Sequence, residues 1–228
     1  MSYTYAKFKT YLKFICGNRE DVESIGGDNM YGVWINSAYK QLTTSYRFWD
    51  LQRNFRFPEL ETSTSSNTTD GTAYISVPSD NFVPLYLYDS TNDRFLDYIR
   101  PKEYFEYTDR SDTDNEGEPT EWTWTGSYFY LHPTPDDTYA ISVHYREVPE
   151  ALSASTDTTT IGDIWDKPIL WLAAYEAKMM LREFDDAEGY KKAFIEHTAG
   201  MIGYVNEAEK SLRKTFHMPS HFRNYGFG

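Results

Sequence analysis

The chain has 228 residues, a formal net charge of −13, 40% hydrophobic residues and 25% charged residues. That is a globular composition with enough length to bury a core, in one domain with an insertion or in two small ones. The acidic balance argues against a free-standing duplex-DNA binder, which needs Lys and Arg to neutralise phosphates; the single cysteine excludes an internal disulfide.

In chain order, residues 3–15 place Phe8, Tyr11, Leu12 and Ile15 on one helical face. Gly17 and Asn18 stop that helix. Asp28 is a plausible N-cap for a second helix over 29–48, striped by Tyr31, Trp34, Ile35, Ala38, Leu42 and Tyr46. Residues 61–71 are almost wholly Ser, Thr, Asn and Asp, and read as a mobile loop. From Gly71 the period becomes alternating. Strands are predicted over 72–77, 82–88 and 95–99, with Pro84 calling for an edge or a bulge and a turn over 89–93. Pro101 opens a short helix over 101–107. An acidic loop follows at 109–121. Residues 122–125 and 128–131, joined by Gly126-Ser127, give a hairpin, and 139–146 give the clearest strand. Residues 153–160 read as a polar linker. A strong helix starts at 163–168, with Asp166 as a possible N-cap, and runs to about Phe184. Another spans 187–216, carrying Ala187, Tyr190, Phe194, Met201, Ile202, Val205, Ala208 and Leu212 on its stripe. Its Gly200 and Gly203 weaken it by roughly 1 kcal/mol each relative to Ala, or permit close packing against a neighbouring helix. The last residues form a tail.

The fold class is therefore α+β. The expected division is a helical bundle from 1–60 and 161–214, an inserted β-rich domain at 71–150 forming a small antiparallel sandwich or barrel, and an extended tail at 215–228. Residues 1–15 are too polar for a secretory signal, with Lys7, Lys9 and Lys13 interrupting any apolar run, and no segment approaches the run of about 20 apolar residues that spans a bilayer. The expectation is synthesis and assembly in the cytoplasm, with no membrane partner.

Catalytic signatures are missing. There is no phosphate-binding loop, no dinucleotide glycine motif and no nucleophile elbow. Cys16 reads as a small core or surface residue. His132, His144, His197, His217 and His221 lack metal-ligand spacing, and Pro219 breaks the helix that would align the last two. Asp112 to Gly117 matches the opening of a calcium loop, but Thr123 stands where the bidentate Glu is required. No cofactor, metal site or catalytic residue is expected. The strand aromatics Trp122, Trp124, Tyr128 and Tyr130 could stack on sugar rings, which keeps a carbohydrate-binding or tail-associated β-module as the alternative. A carboxylate hydrolase would need a cleft with a raised-pKa acid.

The order of features resembles a known family. Residues 128–136 (YFYLHPTPD) precede 140–146 (AISVHYR), then Val148-Pro149 and Leu152, a polar gap, and Ile164-Trp165-Asp166-Lys167-Pro168-Ile169 entering an Ala-rich helix. This is similar to the head–tail adaptor, connector or gatekeeper proteins of tailed phages, including the tail tubular A proteins of short-tailed phages. The likeness spans roughly 29–212 and leaves the N-terminal helix unmatched. It implies a structural, non-enzymatic virion protein at the head–tail junction. Such a protein would form a ring of about twelve copies below the portal protein, extend the channel through which genomic DNA passes without specific binding, and offer a platform to a tail or nozzle protein. It also implies that a C-terminal tail reaches the portal. In this chain that surface would comprise Arg213, Lys214, Phe216, His217, Met218, Phe222, Arg223, Tyr225 and Phe227.

Overall fold

A computed structural model of the chain describes residues 2–22, 29–44, 57–107 and 115–215; for Phe82 and for 202–215 it describes the backbone alone. The described elements are five α-helices and eight strands, a mixed α+β fold. The chain divides into two compact units, Met1–Arg56 with Ala151–Gly228, and Phe57–Glu150.

The first unit is helical. Helix α1 (Tyr5–Ile15) turns Phe8 and Leu12 inward. Its first N–H groups have no partner within the helix. Thr4 Oγ1 accepts from Lys7 N–H at 3.3 Å, and the backbone carbonyls of Asp157 and Ser155 accept from Tyr5 and Ala6 at 2.7 and 3.1 Å. The segment read as a polar linker over 153–160 is thus an ordered loop. Asp157 shapes it by accepting the N–H groups of Ser153 and Ala154 at 2.8 and 2.7 Å. Gly17, at φ +74°, ends α1 in the left-handed conformation that glycine adopts without a steric penalty.

Helix α2 (Met30–Thr44) buries Tyr31, Trp34, Ile35, Ala38 and Leu42 of the predicted stripe, and Tyr39 beside them. Asn29 Oδ1 accepts from Gly32 N–H at 3.3 Å; Asp28 and Tyr46 lie outside the described residues. Asn36 clamps the returning chain, its amide pairing with both backbone groups of Leu152 at 3.0 and 2.8 Å. Helix α4 (Asp166–Met180) buries Ile169, Leu172, Ala173, Ala174 and Ala177, and packs on α1, α2 and α5. Its small residues admit neighbours closely on several sides.

Asp166 does not cap α4 as expected. It is the first helical residue, 2% exposed, and its Oδ2 accepts the Tyr3 N–H at 2.6 Å, tying the N-terminal segment to α4. The break before helix α5 (Phe184–Thr215) also comes earlier than predicted. Arg182 takes φ +62°, and Glu183 N–H closes back on Lys178 O at 2.9 Å. On α5, Ala187, Phe194 and Thr198 are buried. The Thr198 hydroxyl is satisfied by Phe194 O at 2.6 Å.

The second unit holds two four-stranded sheets. The first has the order β1-β8-β3-β4, from strands Glu61–Asn67, Ala140–Glu147, Asn81–Asp89 and Arg94–Phe95. The second has the order β2-β7-β6-β5, from Tyr74–Ser76, Tyr128–His132, Glu121–Trp124 and Asp97–Tyr98. The mobile-loop reading of 61–71 is corrected by β1, whose seven residues pair antiparallel with β8 in unbroken register. Its side chains are mostly exposed, so no apolar alternation announces it. The pairing partner, strongly alternating β8, supplies the order, and the β-branched threonines suit the strand. The predicted strand over 95–99 is two short strands, one in each sheet, with buried Leu96 between them. Pro84 falls beside a register shift in β3, where β4 does not reach, so both of its expected settings hold. The 122–131 hairpin forms as β6 and β7, and helix α3 (Pro101–Tyr107) has the predicted limits. One apolar cluster draws on both sheets: Ile75, Leu87, Leu96, Trp122, Phe129, Leu131, Ile141, Val143 and Tyr145.

Candidate functional site

The groups that chemistry would need are dispersed. Cys16 caps α1 at 4% exposure, and burial, the leading cause, pushes its thiol up to about 11, far from a ready thiolate. His144 stacks on Tyr86 with centroids 4.3 Å apart, and burial lowers its pKa. His197 meets Trp171 edge-on at 5.1 Å, and His132 faces the Asn115 amide at 3.4 Å. His217 and His221 lie outside the described residues. Among the described residues, no group of three or more His, Cys, Asp and Glu is placed to hold a metal ion. Of the calcium-like stretch, Asp112 to Asp114 lie outside the described residues. Gly117 N–H bonds Thr134 O at 2.8 Å, and Thr123 is fully buried in β6.

Three carboxyls are shifted upward, in each case first by burial. Asp166 begins α4, Glu176 lies mid-helix with a hydrogen bond to Ser37, and Glu147 ends β8 near Asp80 and Glu150. Asp166 and Glu176 stand ten residues apart on α4, nearly three helical turns. A depression on the first sheet is lined by Glu61, Thr62, Ser63, Leu85, Tyr86 and His144, and holds none of them.

What the described surface does present is apolar and aromatic. On the second sheet, Tyr74 and Tyr128 are 44% and 39% exposed and meet at 4.7 Å, with Tyr130 6.1 Å from Tyr74 and Phe105 of α3 5.5 Å from Tyr130. Tyr104 anchors α3 by donating its buried hydroxyl to Leu131 O at 2.9 Å. On the first sheet, Phe95 is 59% exposed and meets Tyr86 and Tyr88 edge-on at 5.4 and 5.1 Å. Trp122, one of the four predicted strand aromatics, is core instead. No local pattern marks Tyr74 as a neighbour of Tyr128, because the pairing of β2 with β7 is long-range. These rings meet at steep angles (62° for Tyr74 and Tyr128), which makes a ridge and not the flat platform on which a sugar ring stacks.

The helical unit is similar. Phe14 on α1, Met180 at the end of α4 and Phe184 at the start of α5 are exposed. Met180 Sδ is held by the Trp34 indole N–H at 3.0 Å. Lys178, buried, is paired with Glu183 and Asp186 and fixes the α4–α5 corner. Of the tail set, Arg213 and Lys214 fall on the last turn of α5, where the backbone alone is described. Phe216, His217, Met218, Phe222, Arg223, Tyr225 and Phe227 lie outside the described residues.

Tyr, Phe and Met, the types exposed here, are among the side chains enriched in protein interfaces. The family model described as SU10 adaptor protein matches residues 3–217, including the N-terminal helix that the sequence likeness left out. No curated protein matches the chain.

Proposed function

The chain belongs to the SU10 adaptor protein family, a family of phage structural adaptors, and from that premise we propose that it is a head–tail adaptor assembling as a ring of about twelve copies. In this reading the ring sits below the portal, extends the DNA channel and receives the tail or nozzle protein. In this reading the helices of the first unit act as a bundle and the two sheets of the second as a sandwich. The family match over nearly the whole chain is the observation that carries the proposal.

The charge supports it. A net charge of −13 is compatible with a conduit through which DNA must slide, because a strong grip on phosphates depends on an excess of Lys and Arg. The exposed Tyr, Phe and Met side chains are of the types enriched in protein interfaces. The portal contact is assigned to Arg213, Lys214, Phe216, His217, Met218, Phe222, Arg223, Tyr225 and Phe227, a short aromatic and basic segment without enough apolar mass for a core of its own.

Size exclusion with light scattering, on the chain alone and mixed with its cognate portal, tests the reading. A ring-sized species in either sample is expected, and deletion of 215–228 should abolish portal binding. A monomer in both samples, with no portal bound, refutes the adaptor reading. A ring that still binds portal after the deletion removes the tail assignment alone.

A further inference from the structure

Strand β1 is a sheet edge without the usual guards. Its seven residues, ETSTSSN, contain no Lys, Arg or Pro, and they pair with β8 without a register shift. Neither face of the strand is well covered, since Ser63, Thr64 and Ser65 are all exposed. The ladder fixes where its backbone groups point. Thr68 N–H donates to Tyr139 O at 2.9 Å, so the hydrogen-bonded pairs with β8 are those of Ser66, Thr64 and Thr62. Ser63, Ser65 and Asn67 therefore turn their N–H and C=O groups away from β8. These groups have no backbone partner among the described residues.

The opposite edge of the same sheet is β4, because the strand order is β1-β8-β3-β4. Leu96 N–H donates to Leu87 O at 3.0 Å, which turns the backbone groups of Phe95 away from β3. They too lack a backbone partner among the described residues, and the Phe95 side chain is 59% exposed. Beyond β4 this flank is guarded by Pro84 and the register shift in β3. Phe95 is thus its point of contact.

The two edges match in direction, in face and in shape. Every pairing in this sheet is antiparallel, so β4 runs opposite to β1. Phe95 is the register partner of Tyr88, Tyr88 of Ser142, and Ser63 of His144, two residues along β8 from Ser142. Phe95 and Ser63 therefore carry their side chains on one face of the sheet. On that face the small Ser63 borders the depression that stacked Tyr86 and His144 also line, which leaves room for an aromatic group. The second sheet offers no such match. Its β5 pairs with β6 in parallel, so its two edges, β2 and β5, run the same way.

We propose that β4 of one copy joins the β1 edge of the next, so that the first sheet continues from copy to copy. Phe95 stands opposite Ser63, exchanges two backbone hydrogen bonds with it, and lays its phenyl group over the depression beside His144. A contact between different edges of two like molecules is head-to-tail, the kind that closes into rings. The inference rests on the ring reading above and names the surfaces that make the ring.

The test uses the full-length chain with p-benzoylphenylalanine in place of Phe95, which keeps an aromatic group there and makes it photoreactive. The protein is irradiated alone and with portal, and covalent dimers are mapped by mass spectrometry. Adducts to residues 61–65, Tyr86 or His144 of the second copy are the expected result. As a second measurement, Ser63→Pro deletes an edge N–H that the ladder with β8 does not use. It should leave the circular dichroism spectrum unchanged and weaken association about tenfold. Rings whose dimers carry adducts only elsewhere, or that form no covalent dimer, overturn the inference and leave the adaptor reading intact. A Ser63→Pro chain that folds and assembles as wild type does the same. No oligomer in either sample overturns both.

Discussion

Lys178 offers the sharpest test of how the α4–α5 corner is built. Its side chain is 8% exposed, while Glu183 and Asp186, its partners, are 38% and 61% exposed. Nζ lies 3.0 Å from Asp186 Oδ2 and is also hydrogen-bonded to Glu183 Oε2. The buried charge is therefore the ammonium, and the acids retain water on one side. Removing the lysine leaves two carboxylates that hydrate; removing the acids leaves a mostly buried cation that hydrates only by swinging outward. Breaking a buried pair from the stranded side costs about 3–5 kcal/mol, whereas an apolar replacement of similar volume is close to neutral. Lys178→Met should change stability by less than about 1 kcal/mol. The double change Glu183→Ala with Asp186→Ala should destabilise by about 3 kcal/mol, at the low end because Nζ can swing toward solvent. At this chain length that corresponds to a fall in Tm of roughly 6–12 °C. Adding Lys178→Met to the double variant should restore most of the loss. Thermal melts followed by helix ellipticity read all four proteins. Burial alone would lower the lysine pKa, but the hydrogen bonds with Glu183 and Asp186 outweigh it and the folded value is raised. The stability this contributes is present below the unfolded lysine value of about 10.4 and is lost as pH rises above it. Wild type should therefore lose an increment of stability above that pH that the Met variant lacks. A Lys178→Met protein that melts as low as the double-acid variant would refute the argument.

Two glycines on helices should respond in opposite directions. A Cβ at Gly32 would overlap the Tyr5 hydroxyl where α2 meets α1, so Gly32→Ala should destabilise by about 1–3 kcal/mol despite the better helix former. A Cβ at Gly200 meets nothing within 4 Å among the described residues, so Gly200→Ala should stabilise the chain by up to about 1 kcal/mol, checked in the same melts. Cys16, with its thiol pushed up to about 11 by burial, holds its proton in the fold after the unfolded chain has begun to lose it. The stability it gives is intact below the unfolded value of about 8.5 and declines between there and pH 11, by roughly 1–3 kcal/mol. Urea titrations at stepped pH against Cys16→Ala should show that decline in wild type only; parallel curves would refute it. Asp157→Ala removes the acceptor for Ser153 and Ala154 N–H groups, whose hydrogen bonds hold the Asp157 carboxyl below its usual range. It should speed hydrogen exchange at Tyr5 and Ala6, whose amides that loop caps, and unchanged exchange there would disprove the coupling.

Legibility followed the range of the interactions. Elements with a local cause were readable: the α1 stop at Gly17-Asn18, the Pro101 start of α3, the Gly126-Ser127 hairpin and the alternating β8 all carry their signal within a few residues. What failed was set by partners far along the chain. Strand β1 is polar throughout and exists because β8, some 75 positions on, presents a free edge in register. Asp166 looked like a cap, but the nearest donor in space is the Tyr3 N–H, 163 positions away. Splitting 95–99 between two sheets depends on Leu96 finding the shared core, which no alternation rule specifies.

The candidate surfaces divide in the same way. Alternation along a strand divides its aromatics between core and surface, but it does not say which of them pair across strands, as Tyr74 and Tyr128 do. The glycines of α5 show why the surface needs the structure. From sequence alone, Gly200 could weaken the helix or permit a close approach, and the two readings have identical signatures. A Cβ at Gly200 meets nothing within 4 Å among the described residues, so no close approach there accounts for the glycine and its cost to the helix stands.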